Sequence, residues 1–182
     1  MHKLSCGAQI KPLVLRHTFV RAHTSMQSTI AARETAIALT ATKSEDFEAL
    51  LALRIEAMRE SLERIGRFDL ARARERFQSG FSIDHTRHIE VEGKRVGFVV
   101  VKPQVECLLL DHLYVHPSAQ SKGIGAAVLA RVIEEANVKA LPIRVGALRE
   151  SDSNRFYARH GFVLVEQGEF DNYYVRTSEN AL

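Results

Sequence analysis

Residues 108–125 constrain the chain more than any other stretch. Leu108-Leu109-Leu110-Asp111-His112-Leu113-Tyr114-Val115 runs directly into His116-Pro117-Ser118-Ala119-Gln120-Ser121-Lys122-Gly123-Ile124-Gly125. Three consecutive leucines read as a strand covered on both faces, and therefore central in its sheet. Ile124, Val128, Val132 and Ala136 then recur along one side of a helix, with Arg131, Glu134 and Glu135 on the other. Ile143 to Ala147 supplies a further strand. Strand, glycine-bearing loop, helix and strand in this order form a crossover unit, which requires parallel strands at the centre of the sheet.

The flanking segments enlarge that unit. A short apolar run, Ala36 to Leu39, reads as a first strand, and Thr42 with Glu45 three residues on has the spacing of a capping box. Phe47, Leu50, Leu51, Arg54, Met58, Leu62 and Ile65 follow at helical spacing up to Gly66. A second helix opens at Asp69, passes through Arg72, Arg74 and Arg76, and stops near Gly80. The period then shifts to two, giving strands at His88 to Val91 and Val96 to Lys102 around a turn at Glu92, Gly93 and Lys94. Downstream lie a short helix, Asp152 to His160, closed by Gly161, and two strands, Phe162 to Glu166 and Asn172 to Arg176. The pattern predicts a mixed α/β (α+β) sheet of about seven strands with four helices.

A chain of 182 residues with 46% hydrophobic and 26% charged side chains suits one globular domain. No apolar run approaches the roughly 18 residues of a membrane span, so no membrane partner is expected. Cys6 and Cys107 are the only cysteines, too few for a disulfide framework, and a reducing cytoplasmic setting fits them. The net charge of +3 is concentrated in residues 1–33, where Lys3, Lys11, Arg16, Arg21 and Arg33 stand without an acid. The rest carries 20 basic against 22 acidic side chains, which argues against nucleic acid as a partner. Residues 1–34 read as a basic extension and 35–182 as the folded domain. The extension is open to three readings: a disordered tail, a targeting segment, or a start misplaced ahead of Met26.

The loop from Gln120 to Gly125 enters a helix N-terminus, where free amides and the helix dipole attract phosphate. Gly123 and Gly125 let the backbone approach an anion, and Lys122 can add charge. Neither a Walker loop nor a dinucleotide fingerprint fits, because the preceding Gly of the first is absent and Val128 stands where the second needs glycine. Taken alone, the two glycines are better explained by a tight strand-to-helix turn.

With its surroundings the loop resembles the GCN5-related N-acetyltransferase (GNAT) superfamily, over about residues 36–176. Leu113 to Pro117 matches that family's apolar-aromatic-Val-x-Pro strand end, Gln120 to Gly125 its Gln/Arg-x-x-Gly-x-Gly/Ala loop, and Asn154 to Phe162 its Asn-x-x-Phe-Tyr-x-x-x-Gly-Phe segment. The resemblance implies a splayed pair of central strands and acetyl-CoA as donor cosubstrate, with no metal. It implies cofactor contacts from Leu113, Tyr114, Val115, Gln120, Ser121, Lys122, Gly123, Ile124, Gly125, Ala126 and Asn154, and a bulge near Leu113 or Tyr114 that frees an amide for the thioester carbonyl. Tyr157 matches the tyrosine that protonates the departing thiolate, and Asp111 is the first choice of base. Strand alternation is expected to send Asp111 and His112 to opposite faces. Each residue also has a purely structural reading: Tyr157 as a packed aromatic, Asp111 as a satisfied carboxylate, Asn154 as a cap, and His116, Glu56, Arg59, Glu60 and the Arg72–Arg76 run as solvated charge. The expected reaction acetylates a primary amine, on a small molecule or a peptide, through a ternary complex. A non-catalytic acyl-CoA-binding module and a transferase for another acyl-CoA are the alternatives, and a homodimer is one assembly the pattern permits.

Overall fold

A computed structural model describes residues 36–180, so the reading of residues 1–34 lies outside the described residues. The elements run β1 Ile37–Ala41, α1 Phe47–Arg64, α2 Leu70–Gly80, β2 Thr86–Val91, β3 Lys94–Pro103, β4 Leu108–Val115, α3 Ile124–Val138, β5 Ile143–Leu148, α4 Ser153–Arg159, β6 Val163–Gln167 and β7 Asp171–Arg176. They build one seven-stranded sheet in the order β1-β2-β3-β4-β5-β7-β6. Every pairing is antiparallel except β4 with β5. None of the described helices is long and apolar enough to cross a membrane.

Local chemistry sets most boundaries. The Asp69 carboxylate accepts from the Arg72 amide at 3.0 Å and starts α2. Glu92 and Gly93 both take positive φ, 51° and 75°, which matches the twist of a two-residue hairpin. At the entry to α1 the capping box does not form at Thr42. The Lys43 amide donates to the Asp46 carboxylate at 2.8 Å, one residue later than the spacing of Thr42 and Glu45 predicts. Thr42 is drawn away because its buried hydroxyl donates to the carbonyls of Ile83 and Thr86.

The sheet is packed on both faces. On one, Val128, Leu129 and Val132 of α3 meet Val99, Leu108, Leu110, Ile143 and Val145. On the other, Phe77 of α2 packs against Phe47, Phe81 and Phe98 with ring centroids 5.4, 5.6 and 5.7 Å apart, beside Leu50 and Leu51 of α1. Central placement of β4 agrees with the leucine run. Leu109, however, is only partly buried, because its side of the sheet opens into a cleft.

The β3–β4 register places the bulge earlier than the resemblance implies. Val101 pairs with Leu110 and Val100 with His112, so Asp111 is the extra residue. The cause lies in the apolar pattern. Leu108 and Leu110 must reach the α3 core, as must Leu113 and Val115, and their parity is compatible only with one inserted residue between 110 and 113. The same insertion overturns the expectation that Asp111 and His112 face opposite ways. His112 Nε2 lies 4.0 Å from Asp111 Oδ2, and the imidazole packs with Phe77, Phe98 and Tyr114 on the α1/α2 side.

Candidate functional site

β4 and β5 pair over three positions only, Leu108 to Leu110 with Ile143 to Val145, and then diverge. Between them opens a cleft of about 840 Å³, reached by Asp111, Leu113, Tyr114, Val115, Gln120 and Tyr157 among others. The ladder fixes which backbone groups face it. The His116 amide donates to the Val96 carbonyl at 2.8 Å, so in the same register His112 and Tyr114 bond to β3. Leu113 and Val115 therefore aim their peptide groups at the gap. The Gln120 side-chain amide donates to the Val115 carbonyl at 2.8 Å, leaving the amides of Leu113 and Val115 and the carbonyl of Leu113 directed there.

The glycine loop stands at the N-terminus of α3. Gly123 caps the helix with φ of 77°, a conformation that side-chain-bearing residues adopt only with strain. Ala127 makes the first helical bond, to the Gly123 carbonyl. Among the described residues, the amides of Ser121, Lys122, Gly123, Ile124, Gly125 and Ala126 have no acceptor. Six free donors at the positive end of a helix dipole form a cradle for a phosphate group. The Lys122 ammonium donates back to the Ser118 carbonyl at 3.0 Å, which tethers the loop. A Cβ on Gly125 would meet the Phe156 ring at 3.7 Å, an ordinary contact, so a small side chain fits there.

Tyr157 projects from α4 against Phe156, Phe162 and Tyr174, with ring centroids at 5.3, 5.4 and 6.4 Å. The residue is 6% exposed, and among the described residues its hydroxyl bonds to nothing. Burial, with a smaller contribution from Tyr114, pushes the phenol above its ordinary range and keeps it protonated. Asp111 is tied through Oδ2 to Lys102 Nζ at 2.5 Å, while its Oδ1 has no partner among the described residues. Burial pushes His112 down to about 4 against the pull of Asp111, so it is neutral near pH 7, with a buried Nδ1 that has no partner.

Asn154 does not line the cleft. Its amide donates to the carbonyls of Leu148 and Ser151, both at 2.8 Å, and its oxygen accepts from Asn172 at 2.8 Å and Tyr174 at 3.0 Å. Every donor and acceptor is engaged, and the side chain locks α4 to β5 and β7. His116 accepts from the Ser118 amide and lies 3.2 Å from Glu56. Arg59 and Glu60 form helix-surface pairs with Glu63 and Arg64.

Arg72, Arg74 and Arg76 are all exposed, as the solvated-charge reading expects. Arg74 turns outward to pair with Glu48, whereas Arg72 and Arg76, four apart, line the cleft. Arg54 and Arg144 line it too. The signal for Arg54 was its place in the apolar stripe of the first helix, where a charged residue has no packing reason to stand.

Among the described residues, no group of three or more His, Cys, Asp or Glu is placed to hold a metal ion. Residues 84–164 match the family model described as an acetyltransferase (GNAT) domain, while no curated protein sequence matches the chain. Solved structures are similar in fold. An N-acetyltransferase (PaiA) from Thermoplasma acidophilum in complex with coenzyme A is 17% identical, with a TM-score of 0.65 over 78% of this chain and 99% of that one. The ribosomal-protein-S18-alanine N-acetyltransferase from Escherichia coli is 16% identical, with a TM-score of 0.57 over 78% and 94%. N-acetylglutamate synthase from Neisseria gonorrhoeae, complexed with coenzyme A and L-arginine, is 20% identical, with a TM-score of 0.57 over 80% of this chain and 34% of that one. The strand-loop-helix unit, the three-residue parallel pairing and the domain match agree in placing an acetyltransferase (GNAT) domain at residues 84–164 of this chain.

Proposed function

We propose that the protein transfers an acetyl group from acetyl-CoA to a primary amine by direct attack in a ternary complex. The observation that carries this reading is the conjunction of the free amides of residues 121–126, on the loop that leaves the cleft at Gln120, with the free amides of Leu113 and Val115 and the unpartnered Tyr157 hydroxyl on the cleft itself. The amide cradle suits the pyrophosphate of a CoA thioester. The edge of β4 suits its pantetheine arm, as an added strand would. In the reaction the amine nitrogen bonds to the thioester carbonyl carbon, the C–S bond breaks, and the thiolate takes up a proton.

The chain's own groups serve the proton transfers. Tyr157, held protonated by burial, supplies the proton to the leaving sulfur. Asp111, with Oδ1 free and Oδ2 fixed by Lys102, draws the proton from the incoming ammonium through water. An amide of the Leu113–Val115 edge is the donor for the carbonyl oxygen as charge develops there. Asn154 acts one step back, by holding α4 and therefore Tyr157 in place.

A panel of primary amines, assayed with acetyl-CoA for thiol release, tests this function. Release with at least one amine is expected. Tight acetyl-CoA binding without release across the panel would leave a non-catalytic acyl-CoA-binding module instead, and faster release from another acyl-CoA would reassign the donor.

A further inference from the structure

We infer that the amine acceptor carries an oxyanion, a carboxylate or a phosphate, which docks among Arg54, Arg72, Arg76 and Arg144. The inference rests on the acetyltransferase reading above and names the class of substrate for that same cleft. Arg54 is the anchor. It is 9% exposed on α1, yet its guanidinium has no carboxylate partner among the described residues. Nη1 reaches only the Ala73 carbonyl, at 3.4 Å, Nε is buried and unpaired, and the Tyr114 phenol stands beside it. A buried cation without a counter-ion is costly, and native proteins pair such groups or offer them to a ligand. Arg72 and Arg76 share one face of α2 across Ala73, and Arg144 stands on β5 between two residues that point into the opposite core. None of the three is in an ion pair among the described residues.

The acids lining the same cleft do not neutralise this group. Asp69 is engaged by the Arg72 amide, Asp111 by Lys102, Glu60 by Arg64 and Asp152 by Arg155. Asp69, whose bond is to a backbone amide, and Asp171 are the lining acids without a side-chain partner among the described residues, two charges against four guanidinium groups. Nor is the cluster a second cradle for the donor's phosphates. Those amides belong to the N-terminus of α3, which covers the other face of the sheet. Guanidinium forks bind carboxylate and phosphate bidentately, so four of them beside the thioester end would orient an amine through its far end.

The test compares matched acceptors on the full chain: ω-amino acids of increasing length against their carboxamides, with aminoalkyl phosphates as a third arm. The expected result is a kcat/KM preference of roughly tenfold or more for an oxyanion-bearing amine over its uncharged counterpart. The arm with the larger ratio identifies the oxyanion. Arg72→Gln combined with Arg76→Gln should lower that ratio about tenfold, while Arg74→Gln, outside the cleft, should leave it unchanged. Equal kcat/KM for charged and uncharged partners, or an equal drop in Arg74→Gln, overturns the inference while amine acetylation itself stands. If no amine releases CoA, the acetyltransferase reading fails and the pocket is judged by binding. With CoA saturating, butyrate should then raise Tm where butyramide does not, and the double variant should lose that rise. No difference between the two probes overturns the inference.

Discussion

Replacing Tyr157 by Phe separates chemistry from folding because of what the hydroxyl does not touch. The ring lies among Phe156, Phe162 and Tyr174, and the substitution keeps those contacts. The hydroxyl has no partner among the described residues, so its loss removes no hydrogen bond from the fold. Stability should stay within about 0.5 kcal/mol of wild type. Turnover should fall by roughly 10²-fold or more, the lower range for loss of a positioned general acid, with little change in CoA affinity. Tyr174→Phe provides the contrast. It deletes a bond to Asn154 Oδ1 at 3.0 Å and should cost about 1 kcal/mol of stability. The pH dependence follows from the upward shift of Tyr157. The phenol stays protonated beyond its ordinary value near 10, so this group contributes no alkaline loss of kcat below about pH 10. Thiol-release kinetics and urea unfolding on both variants are sufficient. A Tyr157→Phe enzyme with wild-type kcat, or one destabilised as much as Tyr174→Phe, would remove Tyr157 as the acid.

Two further outcomes follow from local geometry. Gly123→Ala forces a Cβ into φ of 77° and should cost about 1–2 kcal/mol while raising KM for the acyl-CoA. Gly125→Ala, which meets Phe156 at an ordinary 3.7 Å, should leave KM near wild type, and equal effects from the two would contradict the loop's assigned role. Hydrogen bonds from His88, the Lys43 amide and Arg95 hold the Asp46 carboxyl well below the usual carboxylate range. Its folded pKa is depressed, so its contribution is fully present above about pH 4 and is lost as pH falls below that. Asp46→Asn should cost about 2 kcal/mol at pH 7 and flatten the acid limb, as urea midpoints at pH 7 and pH 3.5 would report.

Much of this arrangement was legible in the residues. Periodicity located the elements, Asp69 and Gly66 marked helix ends, and Leu113 to Gly125 with Asn154 to Phe162 identified the family. What stayed hidden depended on partners distant in sequence. Thr42 left its cap for carbonyls more than forty residues away. Asp111 met Lys102 across a hairpin. Asn154 spent all its hydrogen bonds on β5, β7 and the turn before its own helix, which a position early in a short helix does not disclose. The bulge at Asp111 was the exception: the switch from even to odd spacing in Leu108, Leu110, Leu113 and Val115 records it, but a motif match placed it two residues late. Arg72 and Arg76 are surface charge, as their sequence suggests, and they edge the cleft only because α2 lies against it.

The alternation of peptide groups along β4 makes this strand its own reporter. The amides of His112 and Tyr114 are locked in the β3 ladder, whereas those of Leu113 and Val115 face the gap. Neighbouring amides in the middle strand of a seven-stranded sheet should then exchange with deuterium at very different rates, two as slowly as the core and two as fast as a loop. A ligand that completes the ladder would slow the fast pair and leave the slow pair unchanged. Occupancy of the cleft can thus be followed residue by residue before any acceptor is known.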